Sequence, residues 1–466
     1  MILLAAAAGF GIAFALLARF ETRAIWIVGL SVPQLFLLSP EIITFSAVVT
    51  LTSALGFVSD RPSWDRRYGR FLVAFIALAV LAILWSPDVT RAVAWIIGML
   101  QLLIVFIYVK TLRQRLPQRL PRVFDVLGVA VVIEAGLTAV FRVSPELESR
   151  FLHSYWAVLV NGPGKMAAYF TTSPDNVRDV EKAGGLYLNG NTASLYLGMA
   201  SFLFLCAFTL YKRRRYVLVA LAAYLGVFST GSKTAMILGL LLPVFVVSLI
   251  RLAKSPSYLL PILVALPAVA YLAFSQVTRL FPTFAADSDF TFGIREMLWR
   301  AAADMFSEHP MLGLGFGGWF IEIAKYSNSL VAERYPPHNI FIQIWSDMGL
   351  GAALLLVAFV VVVVLDHYRL LSTRPGARVT AAVSLGAFAW LILHGMADTI
   401  NFWGDNRIAV LLAFFLGLLA AELERAVDVD DQVQPAATGS HAKRSQVYWR
   451  DSPRLTSRTV WQSGAS

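Results

Sequence analysis

Four short stretches of this 466-residue chain combine side chains able to hold an anion or move a proton. In the first, GLYLNGNTA at 185–193, Asn189 and Asn191 precede a long apolar run. The simpler role for such an asparagine is to cap the unmet N–H groups of a helix start. Beside the positive end of that helix the same amides also suit an anionic or sugar ligand. The second, STGSKT at 229–234, separates two apolar runs. Its spacing is not that of a phosphate loop, since G-x-x-x-x-G-K is absent. Lys233 either reaches the polar boundary from a tight hairpin or holds a phosphate at a helix start.

The third stretch is GIREMLWR at 293–300. Helical spacing sets Arg295 and Trp299, four residues apart, on one face of an amphipathic helix. Its arginines, Arg295 and Arg300, meet lipid phosphates, or one of them grips a diphosphate through two parallel N–H donors, which lysine cannot copy. EHPMLGLGFG follows at 308–317, with glycines suited to close backbone approach. The fourth, RYPPHN at 334–339, sets His338 at the start of the next apolar run. Neutral imidazole accepts a proton near neutral pH, as a general base must. HGMAD at 394–398 ends a late apolar run, so Asp398 and His394 line the same region; His309 is a weaker candidate. DSD at 287–289 has the spacing of metal-dependent nucleotide-sugar enzymes, but so short an acidic pattern is frequent by chance and reads as a solvated loop.

The elements that position these groups are membrane helices. The chain is 58% hydrophobic and 15% charged, with a mean hydropathy of +0.67, whereas soluble domains carry about 25% charged residues. That composition excludes a water-soluble enzyme. Thirteen apolar runs are long enough to consider as spans: 1–17, 24–38, 42–58, 71–85, 92–109, 124–141, 191–211, 216–229, 234–250, 258–274, 340–365, 379–394 and 408–421. The first reads as a helix rather than a cleaved leader, having no basic residues before it. Pro33 interrupts the short second run, so two of the first three are expected to form one broken span, giving about twelve. The single cysteine, Cys206, lies in an apolar run, which excludes a disulfide framework.

The net charge of +10 does not point to nucleic acid. It collects in five loops, around Arg61–Arg70, Lys110–Arg122, Lys212–Arg215, Arg251–Lys254 and Arg369–Arg378, which fall on one side if the spans alternate. The Lys/Arg bias of membrane proteins makes that side cytoplasmic. The opposite, periplasmic side receives two long segments, 142–188 and 276–337, expected to contain short helices. Residues 1–421 thus form a transmembrane domain, and the polar residues 422–466 a flexible cytoplasmic tail.

Taken in order, the stretches at 185–193, 232–235, Arg295 with Trp299, 309–315, and His338-Asn339 with Gly349 resemble the O-antigen ligase and polymerase superfamily of bacterial envelope glycosyltransferases. The matching features cover residues 185–400, with Lys233 standing where relatives commonly carry arginine. The resemblance implies an all-α polytopic fold of the C type in the inner membrane. It implies transfer of a glycan from undecaprenyl diphosphate to a sugar hydroxyl of lipid A–core, completing lipopolysaccharide, with no nucleotide, cofactor or metal. The two lipids and the surrounding membrane are the partners. His338 is then the base and Arg295 the stabiliser of the leaving diphosphate, with Lys233, Arg300, Asn189, Asn191 and Asp398 binding diphosphate or glycan. A single displacement inverts the anomeric centre. O-antigen polymerase and protein O-oligosaccharyltransferase are the alternatives within the superfamily. A glycolipid flippase is the alternative from another class, to which Glu134, in the outer part of its span, is relevant. No internal repeat of the kind that builds transporters is present.

Overall fold

Away from water, every backbone N–H and C=O must find its partner inside its own element, so the apolar runs close into helices. The computed structural model describes residues 2–37, 43–171, 181–252, 282–327, 335–398 and 405–433, with a few single positions between 261 and 279. In chain order the helices are α1 (Ile2–Leu17), α2 (Phe20–Ser31), α3 (Phe45–Ser53), α4 (Phe57–Asp60), α5 (Tyr68–Ala82), α6 (Val89–Arg115) and α7 (Leu120–Val143). Three short helices follow, α8 (Pro145–Leu152), α9 (Tyr155–Asn161) and α10 (Pro163–Thr171), then α11 (Gly190–Tyr211), α12 (Arg214–Ser229) and α13 (Lys233–Leu252). The remainder are α14 (Pro282–Glu308), α15 (Trp319–Tyr326), α16 (Ile340–Thr373), α17 (Arg378–Ala397) and α18 (Asn406–Val433).

Eight helical segments among the described residues are long and apolar enough to cross a membrane, and two shorter apolar ones lie within 1–60. The chain is an all-α polytopic membrane protein. The expected fusion of two of the first three runs is not seen: α1, α2 and α3 are separate helices. Arg23, buried at the start of α2, donates to the carbonyls of Ala15 and Ser53 and pairs with Asp60, so the three helices are fastened by one guanidinium. Apart from a few single positions, the expected span at 258–274 lies outside the described residues.

Burial separates centre from perimeter. The spans built on α11 and α18 are 78% and 83% buried, whereas that on α5 is 22% buried and left to face lipid. Alternating helix directions gather the starts of α11, α13, α16 and α18 with the ends of α7, α12 and α17 at one end of the bundle. The opposite end holds the basic loops, several of whose cations find acidic partners: Arg67 with Asp366 at 2.6 Å, Lys110 with Glu424 at 2.7 Å and Arg113 with Glu422 at 2.5 Å. The last two lie beyond residue 421, in a helix that continues through the start of the expected tail. The chain divides into units at Met1–Glu424 and Arg425–Ser466.

Two departures shape the candidate site. Residues 287–289, read from sequence as a solvated loop, belong to α14. The glycine run at 313–318 docks onto a break in α16, where Gly349 has φ 80° and ψ −178°. Leu314 N donates to Ser346 O at 2.7 Å and Leu350 N to Met311 O at 3.1 Å, so the loop meets carbonyl and amide groups freed by the break. A Cβ on Gly349 would collide with Met311 O, and its left-handed φ already excludes most side chains.

Candidate functional site

α14 presents Ile294, Leu298, Ala301 and Met305 at helical spacing to a small apolar core completed by Leu314, Trp319, Tyr335 and Trp345. Seating that stripe turns Arg295 and Trp299 toward the start of α16. Trp299 Nε1 donates to Pro337 O at 3.1 Å, and Arg295 Nη2 donates to Ala397 O at 2.7 Å. One face of α14 therefore bridges the residue before His338 and the residue before Asp398. Asn339 opens α16 by accepting from the amides of Phe341, at 2.9 Å, and Ile342.

His338 stands just ahead of that cap with φ 49°, a left-handed conformation that a non-glycine residue holds only when its surroundings enforce it. Its side chain is mostly buried, and Nδ1 lies 2.9 Å from Asp398 Oδ1. With Nδ1 donating to the carboxylate, the neutral ring carries its basic lone pair on Nε2. A base held in one tautomer by a buried acid is the arrangement that activates hydroxyl nucleophiles in unrelated enzymes.

Charge is matched across the cluster. Burial alone would raise the Asp398 carboxyl, but the His338 hydrogen bond and the nearby positive charges, Arg295 among them, outweigh it and hold the group at about 2. Its depressed value means that the pairing is in full force above the ordinary carboxylate range and is lost only as pH falls toward 2. Burial lowers Arg295, and Asp398 opposes that shift. The guanidinium keeps one buried donor, Nε, without a hydrogen-bond partner among the described residues.

Asp398→Asn leaves a group of the same shape without the charge that favours the imidazolium formed when the ring takes a proton. The expected result is turnover lower by about 10²–10³ across roughly pH 5–8, because Asp398 is ionised throughout that window. A pH–rate profile of the variant matching the wild type would remove Asp398 from this role.

The other expected site residues fall in two places. Asn189 caps α11 by accepting from Asn191 N at 2.7 Å, the simpler of the two roles its sequence allowed. Asn191 O accepts from Ser194, whose hydroxyl lies 3.0 Å from His394 Nε2; His394 O in turn accepts from Asp398 N at 2.8 Å. The start of α11 is thus joined to the Asp398–His338 pair through His394. Lys233 opens α13 beside it, on a turn tied back by Ala183 N donating to Thr230 O at 3.1 Å. Arg300 is on the outward face. Five residues from Arg295 is about 140° around a helix, and Arg300 pairs with Glu296 at 2.5 Å with its side chain 77% exposed.

Sequence reasoning missed Ser194 and the part played by His394, since neither has a local pattern and their pairing spans 200 residues. Asp398 was expected to contact ligand; its carboxylate lies on His338.

Residues 217–357 match the family model described as O-Antigen ligase, a stretch that holds Lys233, Arg295 and His338 but neither asparagine nor Asp398. No curated protein matches the chain.

Proposed function

We propose that this chain, which belongs to the O-antigen ligase/polymerase superfamily, is a ligase at the periplasmic face of the bacterial inner membrane. It moves a glycan from undecaprenyl diphosphate to a sugar hydroxyl of lipid A–core. The observation that carries the reading is the Arg295–Asp398–His338 cluster, at the end of the bundle away from the basic loops. By the Lys/Arg bias that end is periplasmic, with 142–188 and 276–337 outside and the tail at 422–466 cytoplasmic.

In the reaction the acceptor oxygen attacks the anomeric carbon while its proton passes to His338 Nε2. The bond from that carbon to the diphosphate oxygen breaks, and its electron pair leaves with undecaprenyl diphosphate. Arg295 meets the charge that grows on the leaving oxygens, with Lys233 and Asn191 on the same anion. The activated bond is already in the donor, so no nucleotide enters. Arg300, paired with Glu296, is left for lipid phosphates or the distal glycan.

Purified protein reconstituted with both lipids is the test. A mass spectrum with glycan joined to lipid A–core is expected. Glycan lengthened on its carrier would instead make the chain a polymerase, and movement of donor without any product would make it a flippase.

A further inference from the structure

A second cluster of buried ionisable groups lies beneath residues 183–188, and the transfer step does not use it. Glu134 of α7 accepts from Leu186 N at 3.0 Å through Oε2, while Arg407 of α18 donates to Leu186 O at 3.2 Å. One residue is thereby gripped on both its amide and its carbonyl by side chains from two helices. Arg407 is itself fixed, with Nε 3.0 Å and Nη2 2.7 Å from Asp405 and its guanidinium carbon 3.7 Å from the centre of the Tyr187 ring. Glu148 of α8 adds a third hold by accepting from Gly184 N at 2.7 Å.

Stability alone does not call for such groups, because apolar side chains of similar volume often replace buried ion pairs at no loss. Their placement relative to the anion-facing turns is more informative. Three residues after Leu186, Asn189 caps α11, and Gly190 packs so closely on Thr230 O that a Cβ would collide with it. Ala183 N bonds the same carbonyl, at the head of the turn carrying Lys233. A shift of Leu186 is therefore passed to Asn191 and to Lys233 together.

We propose that Glu134 and Arg407, braced by Asp405, are positioning residues that set the distance between the α11 start and the Lys233 turn, and so the fit of the donor diphosphate. This rests on the reading that Lys233 and Asn191 meet that diphosphate. Arg407→Lys cannot both pair with Asp405 through two nitrogens and reach Leu186 O. Gly185→Ala disturbs the same contact from the other side, since Gly185 has φ 62° and a Cβ there would collide with Glu134 Oε1. Glu134→Gln keeps an acceptor for Leu186 N. Its new amide faces Oε1's surroundings, where Glu134 Oε1 and the Tyr187 and Tyr196 hydroxyls have no partner among the described residues.

The experiment is steady-state transfer by the reconstituted full chain with defined lipids, reading KM for donor, KM for acceptor, kcat and Tm. Arg407→Lys and Gly185→Ala are expected to raise donor KM about tenfold, with kcat within about twofold and acceptor KM unchanged, as loss of a contact made equally to bound donor and transition state predicts. Glu134→Gln should stay close to wild type. Lys233→Ala in the same assay separates the two claims. If it raises donor KM and the others do not, the positioning role is overturned while the diphosphate reading stands. If Lys233→Ala leaves donor KM unchanged, the diphosphate reading fails and the positioning role falls with it. Lower Tm and kcat in Arg407→Lys and Gly185→Ala at unchanged donor KM would make the clamp structural only, which also overturns the proposal.

Discussion

His338→Ala is expected to lower turnover by about 10²–10⁴, the share that a positioned general base supplies. Donor binding should persist, because the groups proposed to face the diphosphate are Arg295, Lys233 and Asn191 rather than the imidazole. The backbone at this position sharpens the test. His338 holds φ 49°, so its conformation is tolerated rather than preferred, and glycine would relieve it. His338→Gly relieves that backbone but removes the imidazole bonded to the buried Asp398 carboxylate, so it should fold with a Tm no higher than wild type while failing to transfer. Measured Tm and transfer on the same purified samples decide the matter. A His338→Gly protein that folds normally and retains full turnover would take the imidazole out of the reaction.

Arg295→Lys is expected to be nearly as damaging as Arg295→Ala, each costing about 10²–10³ in turnover at saturating donor. The reason is geometric. Nη2 is committed to Ala397 O at 2.7 Å, which orients the planar group, while Nε is a buried donor with no partner among the described residues. A lysine has one nitrogen on a flexible stem and cannot hold the 397–398 carbonyl and a phosphate oxygen in one plane. Single-turnover measurement separates loss of chemistry from loss of binding. Lysine activity within about tenfold of wild type would show that charge alone suffices at this position.

Hydropathy made the helices legible because in this setting apolar length and helix formation are the same requirement. The run expected at 191–211 is Gly190–Tyr211, and that at 216–229 is Arg214–Ser229. The expected end of α16 at residue 365 falls short because Asp366 and His367 look like a boundary. Both are buried, Asp366 bonded to Arg67 and Tyr68 and His367 to Ser384, so the helix runs on to Thr373. Pro33 pointed to a broken span, and the three separate helices near it are tied together by contacts of Arg23 that no local pattern encodes.

The candidate site was legible as residue types and only partly as geometry. His338 and Arg295 announced themselves by lying at element starts and on helix faces. The bond from His338 to Asp398 crosses 60 residues, and the hold of Arg295 on Ala397 crosses 102. Arg300 shares its neighbour's chemistry but not its face. The glycines at 313–317 were read as suited to close backbone approach; Gly313 meets the break at Gly349, while Gly315 packs on Trp85 and Ser86, partners that appear only once the helices have folded. Glu134 was visible as an odd acid in a span, yet what it binds is a backbone amide 52 residues away.

We propose a direct displacement in which His338 deprotonates the acceptor as Arg295 stabilises the leaving diphosphate. The most direct measurement is the anomeric configuration, by NMR, of the linkage formed by the purified protein from a donor of known configuration. One displacement predicts the opposite configuration in the product; the same configuration would require a second displacement and would rule out direct attack by the acceptor.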